Sequence, residues 1–262
     1  TLITGSAISL GLALFIFSDH IQQGSYQSLI RVGVSTQAGH VVVQPQGYQD
    51  DPKQERKLTE VSALSTTLRE SFQAQQIDAK VVPRARLAGL LQSPVGGARA
   101  MLLAIDPSSE TQVSEWHKRL TPVPRPQGEP GEPIPSEWLK SDDAYGVLLG
   151  AKLAERLDLT VGDKVVFTFN RRSSIEGSSE VESYLFRVRG ALKLGSEDQE
   201  ASTAIMTLSG YRRALKAPDI AQQLTVHVRD LDQLPKALKL TREIVKEHSK
   251  VSAEVLDWRE AL

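Results

Sequence analysis

The chain contains no cysteine. That removes thiol chemistry, zinc thiolate sites and disulfides, and suits either the cytosol or an extracytoplasmic domain stabilised by its core alone. Aromatic residues make up only 5% of the sequence, so packing is expected to be aliphatic. An excess of one charge is also missing. Lys and Arg number 31 against 32 Asp and Glu, spread along the chain, which argues against a nucleic-acid binder that works by neutralising phosphates. There is no GxSxG elbow, no GxxxxGK[ST] phosphate loop and no GxGxxG turn, so the familiar hydrolase and nucleotide-binding routes are excluded. The five histidines show neither HxxxH nor HxH spacing, and no metal site is nominated. His227 within LTVHVR reads as a hydrogen-bonded strand residue, the pairs Asp50–Asp51 and Asp142–Asp143 as solvated surface, and Trp116, Trp138 and Trp258 are too scattered for a base-stacking platform. No catalytic residue, cofactor or metal is expected.

What is present begins with residues 1–18, TLITGSAISLGLALFIFS, which carry no charge before Asp19. As a helix they would cover roughly 27 Å, close to the ~30 Å hydrocarbon core of a bilayer. A secretory signal or a buried core helix are the competing readings. The first lacks a basic start and a small-residue cleavage site, and the second is seldom apolar on every face. Gly5 with Ser9 and Ala7 with Gly11 place small residues four apart, a spacing that lets another helix approach closely. Because the chain opens on Thr1, it is expected to be a piece of a longer protein. The stretch 19–33 has no proline and keeps apolar residues at Ile21, Tyr26, Leu29 and Ile30, so the helix is expected to continue as a stalk. Gly24 opposes that continuity by about 1 kcal/mol.

Further on, 39–44 (GHVVVQ) reads as a strand. Leu58, Val61, Leu64, Leu68 and Phe72 recur at helical steps, predicting an amphipathic helix over 58–75. Residues 80–91 and 98–105 read as strands joined by SPVGG, with Gly96 and Gly97 supplying the positive φ of a tight turn. A helix is expected over 109–120. Six prolines between Pro122 and Pro135 forbid a helix or a central strand and mark the start of a second subdomain. Residues 146–149 read as a strand, 151–157 as a short helix, 164–169 and 184–189 as alternating strands of a hairpin with a long projecting connection over 170–183. Strand 204–208, helix 209–215, strand 224–228, a helix beginning at Asp232 and Pro235, and strand 251–256 complete the pattern. Strand, helix, strand thus recurs at both ends, over 39–92 and 224–256, and two such units often share one sheet with the intervening chain inserted.

The stretch 147–169, VLLGAKLAERLDLTVGDKVVFTF, resembles the periplasmic domain of the permease family that includes the lipoprotein-releasing Lol-type transporters, the macrolide exporter MacB and the division protein FtsX. Gly150, Leu153, Ala154, Leu157, Leu159, Val161, Gly162, Asp163 and Val165 follow its order of strand, Gly, short helix, Val-Gly-Asp and strand. These positions mark a fold and no active site. The ends are similar too, GLALFIFSDHIQQGSYQSLIRVG before GHVVVQP, and Val255 to Arg259 at the close. The resemblance implies an α+β fold: a transmembrane and stalk helix over 1–35, a porter-like subdomain of two strand-helix-strand units over 36–120 and 221–262, and an inserted strand-rich subdomain over 121–220. It implies further an ABC ATPase subunit, a second permease subunit forming a homo- or heterodimer, membrane lipid, and a periplasmic carrier or adaptor protein as partners, in a bacterial inner membrane with the bulk of this segment outside it. ATP hydrolysis would lie in the ATPase, with movement passed through a coupling stalk at Ile21, Leu29 and Ile30. In Lol-type members a projecting hairpin captures the carrier, which directs attention to Arg171, Arg172, Ile175 and Glu176. This hairpin, NRRSSIEGSSEVES, is rich in Ser and Glu and lacks the proline and apolar tip of the Lol pattern. The alternatives are a single-pass membrane-anchored sensor or adhesion module and, less specifically, a periplasmic enzyme. Sequence beyond Leu262 should contain three further apolar spans of ~20 residues; finding none on sequencing the gene would end the permease reading.

Overall fold

The computed structural model describes residues 39–125, 130–172 and 179–261. The expected membrane span and the stalk with Ile21, Leu29 and Ile30 lie outside the described residues, as do Ile175 and Glu176. No helix among the described residues is long and apolar enough to cross a membrane.

Strand β1 (Val41–Pro45) is buried along its whole length, and a short β2 (Leu58–Thr59) follows. Helix α1 (Val61–Ala74) buries Val61, Leu64, Leu68 and Phe72 on one stripe, the three- and four-residue steps of an amphipathic helix. It starts later than the spacing predicts, because Leu58 pairs with Ala221 in a small second sheet and Glu60 (φ 53) turns the chain into the helix. Next come β3 (Ala79–Ser93) and β4 (Gly96–Ile105), joined by a two-residue loop, Pro94-Val95, since Ser93 pairs directly with Gly96. Neither Gly96 nor Gly97 takes a positive φ. Proline at the first central position fixes a negative φ, and glycine falls at the fourth position of the turn instead. In place of a helix over 109–120 there is α2 (Pro107–Glu110), capped by Asp106, and a separate 3-10 turn at Trp116–Arg119; the carboxylate of Glu110 is drawn into a buried ion pair that ends the first turn.

The remaining elements are β5 (Leu120–Thr121), β6 (Gly146–Gly150), α3 (Ala151–Arg156), β7 (Lys164–Arg172), β8 (Ser179–Leu192), α4 (Glu197–Ser202), β9 (Thr203–Thr207), α5 (Leu208–Ala214), β10 (Ile220–Ala221), β11 (Gln223–Val228), α6 (Leu234–His248), β12 (Ala253–Asp257) and α7 (Trp258–Ala261). The fold is mixed α+β.

One sheet of ten strands runs β12-β1-β11-β3-β4-β9-β6-β8-β5, with β7 pairing both β3 and β8. That double pairing closes β3, β4, β9, β6, β8 and β7 into a ring. At the other end β12, β1, β11 and β3 form an antiparallel sheet in which the two strand-helix-strand units interleave. Helix α1 packs on β3 and on α6, and α6 on β12. Strand β3 belongs to both parts: Ala79 to Arg84 pair with β11, Arg84 to Ser93 with β4, and Leu90 to Gln92 with β7. Val81, Ala85, Leu87 and Leu91 on one of its faces are buried. Those residues join one cluster that includes Leu68 and Phe72 of α1, Ile244 of α6, and Phe167 and Phe186 inside the ring. A second cluster, with Ile105, Leu148, Leu192 and Ile205, covers part of the ring's exterior beneath Trp116 and Leu139.

The place where β3 leaves β11 is held by polar groups. Arg84 makes a two-pronged ion pair with Glu110, Nε to Oε2 at 3.1 Å and Nη2 to Oε1 at 2.7 Å, with side chains 7% and 0% exposed. Gln222 Oε1 accepts from Arg86 N (2.6 Å) and Tyr48 OH (3.0 Å), standing in for a strand partner that β11 no longer supplies. Glu110→Ala removes the buried carboxylate that the Arg84 guanidinium grips and should cost about 3–5 kcal/mol, whereas the double change Arg84→Met with Glu110→Leu should cost far less. Urea denaturation of the three proteins checks that ordering.

Candidate functional site

The stretch 147–169 forms one corner of the ring. Gly150 closes β6 where an added Cβ would collide with the Glu200 backbone, so α3 and α4 meet there without a side chain between them. Leu153, Ala154 and Leu157 are buried in the main cluster, and Val161 packs at its edge. Gly162 (φ 95) takes a conformation open to few other residues. Its N–H donates to Val188 O (2.8 Å), while Val188 N donates to Asp163 O (2.9 Å), stitching the turn onto β8. The Asp163 carboxylate accepts from Thr160 N (2.8 Å). These residues are brought together, and the geometry they make is a packed corner rather than a cleft.

The hairpin of β7 and β8 is longer in its strands than the sequence reading allows. Pairing continues through Phe169↔Glu182, Asn170↔Val181 and Arg171↔Glu180 to Arg172↔Ser179, so most of 170–183 is ladder. The reason is visible along one face. Rings of Phe167, Phe169 and Tyr184 stack at 5.9 and 5.8 Å, and beyond them Arg171 bridges Glu182 (2.8 Å) and Glu180 (3.2 Å). Tyr184 OH (3.2 Å) and Lys216 Nζ (3.4 Å) also reach Glu182. Although its partial desolvation opposes ionisation, the Tyr184 hydroxyl, Lys216 and Arg171 hold the Glu182 carboxyl below the usual carboxylate range. Arg171 is thus committed within the hairpin. The residues left facing outward are Val181 and Leu185, 68% and 48% exposed. Below the hairpin the Arg213 guanidinium lies 3.8 Å from the ring centre of Tyr145.

Orientation follows from the ladders. Strand β3 runs the same way as β1, away from the point where Gly39 brings the chain in, because both are antiparallel to β11. Its 15 residues extend about 50 Å, and Val95, 63% exposed, sits at the far tip. Strand β7 runs against β3, so the last described pair of its ladder with β8, Arg172↔Ser179, lies toward the end of the sheet where β1 begins.

Two grooves mark the surface of the described residues. One of about 640 Å³, lined by Leu90, Arg99, Met101, Thr168, Phe169 and Asn170, crosses the bare outer face of the ring. The other, of about 550 Å³, runs along the edge of the first half of β3 that faces away from β11, between α1 and Asp106–Gln112, lined by Arg69, Lys80, Asp106 and Gln112 among others. No cluster of three His, Asp or Glu that could hold a metal occurs among the described residues.

Sequence reasoning missed His40, Arg84 and Glu110. The first stands at the head of β1 and accepts from Val228 N at Nδ1 (3.0 Å); the others are 26 positions apart with no local pattern linking them. The only signal was burial parity, since Arg84 shares a strand face with Val82. Burial, then Arg84 and His40 nearby, push the His227 imidazole down to about 3, and burial lowers His40 as well.

A model of the MacB-like periplasmic core domain family matches residues 1–244. Among solved structures, the chain is similar to the extracellular domain of the noncanonic ABC-type transporter YknZ from Gram-positive bacteria, with a TM-score of 0.52 and 14% identity, over 83% of this chain and 98% of that one. It is also similar to the periplasmic region of MacB from Actinobacillus actinomycetemcomitans, with a TM-score of 0.51 and 14% identity, over 84% and 89%. At such identity the two structures speak to the fold. No curated protein matches the chain.

The two histidines carry a pH dependence. Unfolded imidazole titrates near 6.5 and the folded groups lower, so the unfolded state binds more protons below that point. Stability should be full well above pH ~6.5 and fall as pH drops below it, by up to ~1.4 kcal/mol per pH unit from His227, with His40 acting in the same direction. Thermal unfolding between pH 7.5 and 5 reads this slope, and His227→Gln should flatten it.

Proposed function

The chain belongs to the family of MacB-like periplasmic core domains, and from that premise we propose that it works as a mechanical relay between a membrane-embedded motor and the periplasm. It is the periplasmic domain of a MacB-like ABC transporter permease. In this reading, residues 1–35 form the membrane helix and coupling stalk, with Ile21, Leu29 and Ile30 on its packing face. Residues 36–120 with 221–262 receive the movement as a porter-like subdomain, whose strands β3 and β4 extend into the ring that 121–220 completes and carry it outward. ATP hydrolysis belongs to a separate ABC ATPase subunit, and a second permease subunit completes the assembly in the inner membrane. The cargo class, lipoprotein, lipid or small molecule, is left to the partners. The motif from Gly150 to Asp163 serves as the corner that keeps the ring rigid. The hairpin from Arg171 through Arg172, Ile175 and Glu176, with Val181 and Leu185 on its outer face, is the candidate contact for a periplasmic carrier or adaptor.

One observation carries this reading. The buried face of β3 joins the sheet at the chain ends to the ring in a single hydrophobic cluster, and a continuous packed core resists bending at the joint. Displacement of the chain ends would therefore arrive at Val95 undiminished.

The absence of cysteine in this chain makes a labelling test direct. In the full permease with its ATPase, a spin label at Val95→Cys and one on the ATPase should change separation when ATP replaces ADP. Gln23→Pro, costing ~3 kcal/mol or more in a helix interior, should abolish the change while circular dichroism of the domain is preserved. A separation indifferent to nucleotide during ATP turnover would sink the relay.

A further inference from the structure

The chain comes in at Gly39 and leaves at Trp258, and these two points are adjacent. Strands β1 and β12 are antiparallel, with Val41 opposite Asp257, so the segments before residue 39 and after residue 258 depart from the same end of one strand pair. Movement that separates them loads the ladder from that end, one bond at a time. A backbone hydrogen bond contributes only about 1 kcal/mol net, and β12 is the edge of the sheet. A relay attached in this way would peel unless its first bonds were reinforced.

His40 supplies three bonds at that point. Its N–H donates to Val226 O (2.8 Å) and its carbonyl accepts from Trp258 N (3.1 Å). Its ring Nδ1 accepts from Val228 N (3.0 Å), beyond the last β1–β11 ladder pair, Val41↔Val226. The His227 ring stands edge-on at 6.2 Å. Gly39 (φ 68) brings the chain so close to β11 that a Cβ would meet Thr225 Cβ at 3.0 Å and His227 Nε2 at 3.2 Å. The incoming segment is thereby pressed onto β11 before β1 begins.

We propose that His40 is a positioning residue that clasps the incoming end of the chain to β11 and the outgoing end to β1, so that both ends move the domain as one body. The proposal rests on the relay reading. Without the imidazole acceptor, β1 keeps only its backbone bonds to β11 at this end, and separation of the chain ends lifts β1 away from β11 instead of shifting the ring. Asn places an amide oxygen near the position of Nδ1, so His40→Asn restores the acceptor that His40→Ala removes.

The test uses the full permease with its ATPase, carrying either substitution. Hydrogen exchange in peptides covering 41–45 and 223–229 should rise at least tenfold in His40→Ala and return in His40→Asn, while the peptide covering 96–105 stays protected and reports a folded ring. The nucleotide-dependent shift at a Val95→Cys label should shrink by half or more in His40→Ala and recover in His40→Asn. Unchanged exchange in His40→Ala overturns the clasp, and so does increased exchange with a full-sized shift at Val95. A parent protein whose Val95 label never shifts refutes the relay reading instead, and exchange then decides the clasp alone.

Discussion

The architecture depends on one strand satisfying two sheets with one face. Alternation puts Val81, Ala85, Leu87 and Leu91 of β3 on the same side. All four are buried, first under α1 and then inside the ring. Were the register of β3 to slip by one residue, that face would become Lys80, Arg84, Arg86 and Leu90, and both cores would fail together. The two parts of the domain are thus coupled by a constraint on a single strand, which no linker could replace. The ring tolerates this because its walls differ in size. Strand β4 contributes Ala98, Ala100 and Ala104, opposite the large rings of Phe167 and Phe186.

Sharing a strand creates a defect where the sheets diverge, since β11 ends at Gln223 while β3 continues. Backbone groups freed there must find partners or pay desolvation. Gln222 serves Arg86 N through its side chain, and Arg84 turns to Glu110 and the Trp116 ring, 5.6 Å away. A buried ion pair of this kind is weak evidence for stability, because desolvation offsets much of its attraction. Its two-pronged geometry does fix the angle at which α2 crosses the joint, and so contributes to a defined orientation between the sheets.

Much of this was legible in local pattern. The stripe of α1, the alternation of Val165 and Phe167 against Phe186 and Val188, and the paired strand-helix-strand units follow from periodicity, which is a property of neighbours in sequence. Ring closure was not legible, because the pairing of β7 with β3 joins Thr168 to Leu90, and nothing in either segment names the other. Apolar alternation stops at Phe169 and resumes at Tyr184, so the hairpin arms between them carry no strand signal; the ion pairs of Arg171 with Glu180 and Glu182 make a polar ladder that composition cannot distinguish from a solvated turn. His40 was hidden for the same reason. Its partner is a backbone N–H 188 positions away, and backbone groups leave no trace in residue identity.

The edges of the sheet constrain how this domain meets others. Strand β12 is screened where Arg242 reaches Val255 O (3.5 Å) and Glu260 accepts from Asp257 N (3.1 Å). The first half of β3 has no second strand among the described residues, yet Arg69 occupies Val81 O (2.8 Å) and Pro83 has no N–H to offer. Strand β5 is two residues long. Short, proline-bearing and capped edges are how sheets resist pairing with foreign strands. Association by strand addition is therefore disfavoured at each end. Contacts with other subunits fall instead to side-chain faces, and four of the seven exposed large apolar residues among those described lie on one of them: Leu90, Met101, Val181 and Leu185 on the half of the ring that Trp116 and Leu139 leave bare. A rigid body with closed edges and one exposed face can be moved as a unit and still engage a partner without exchanging strands with it.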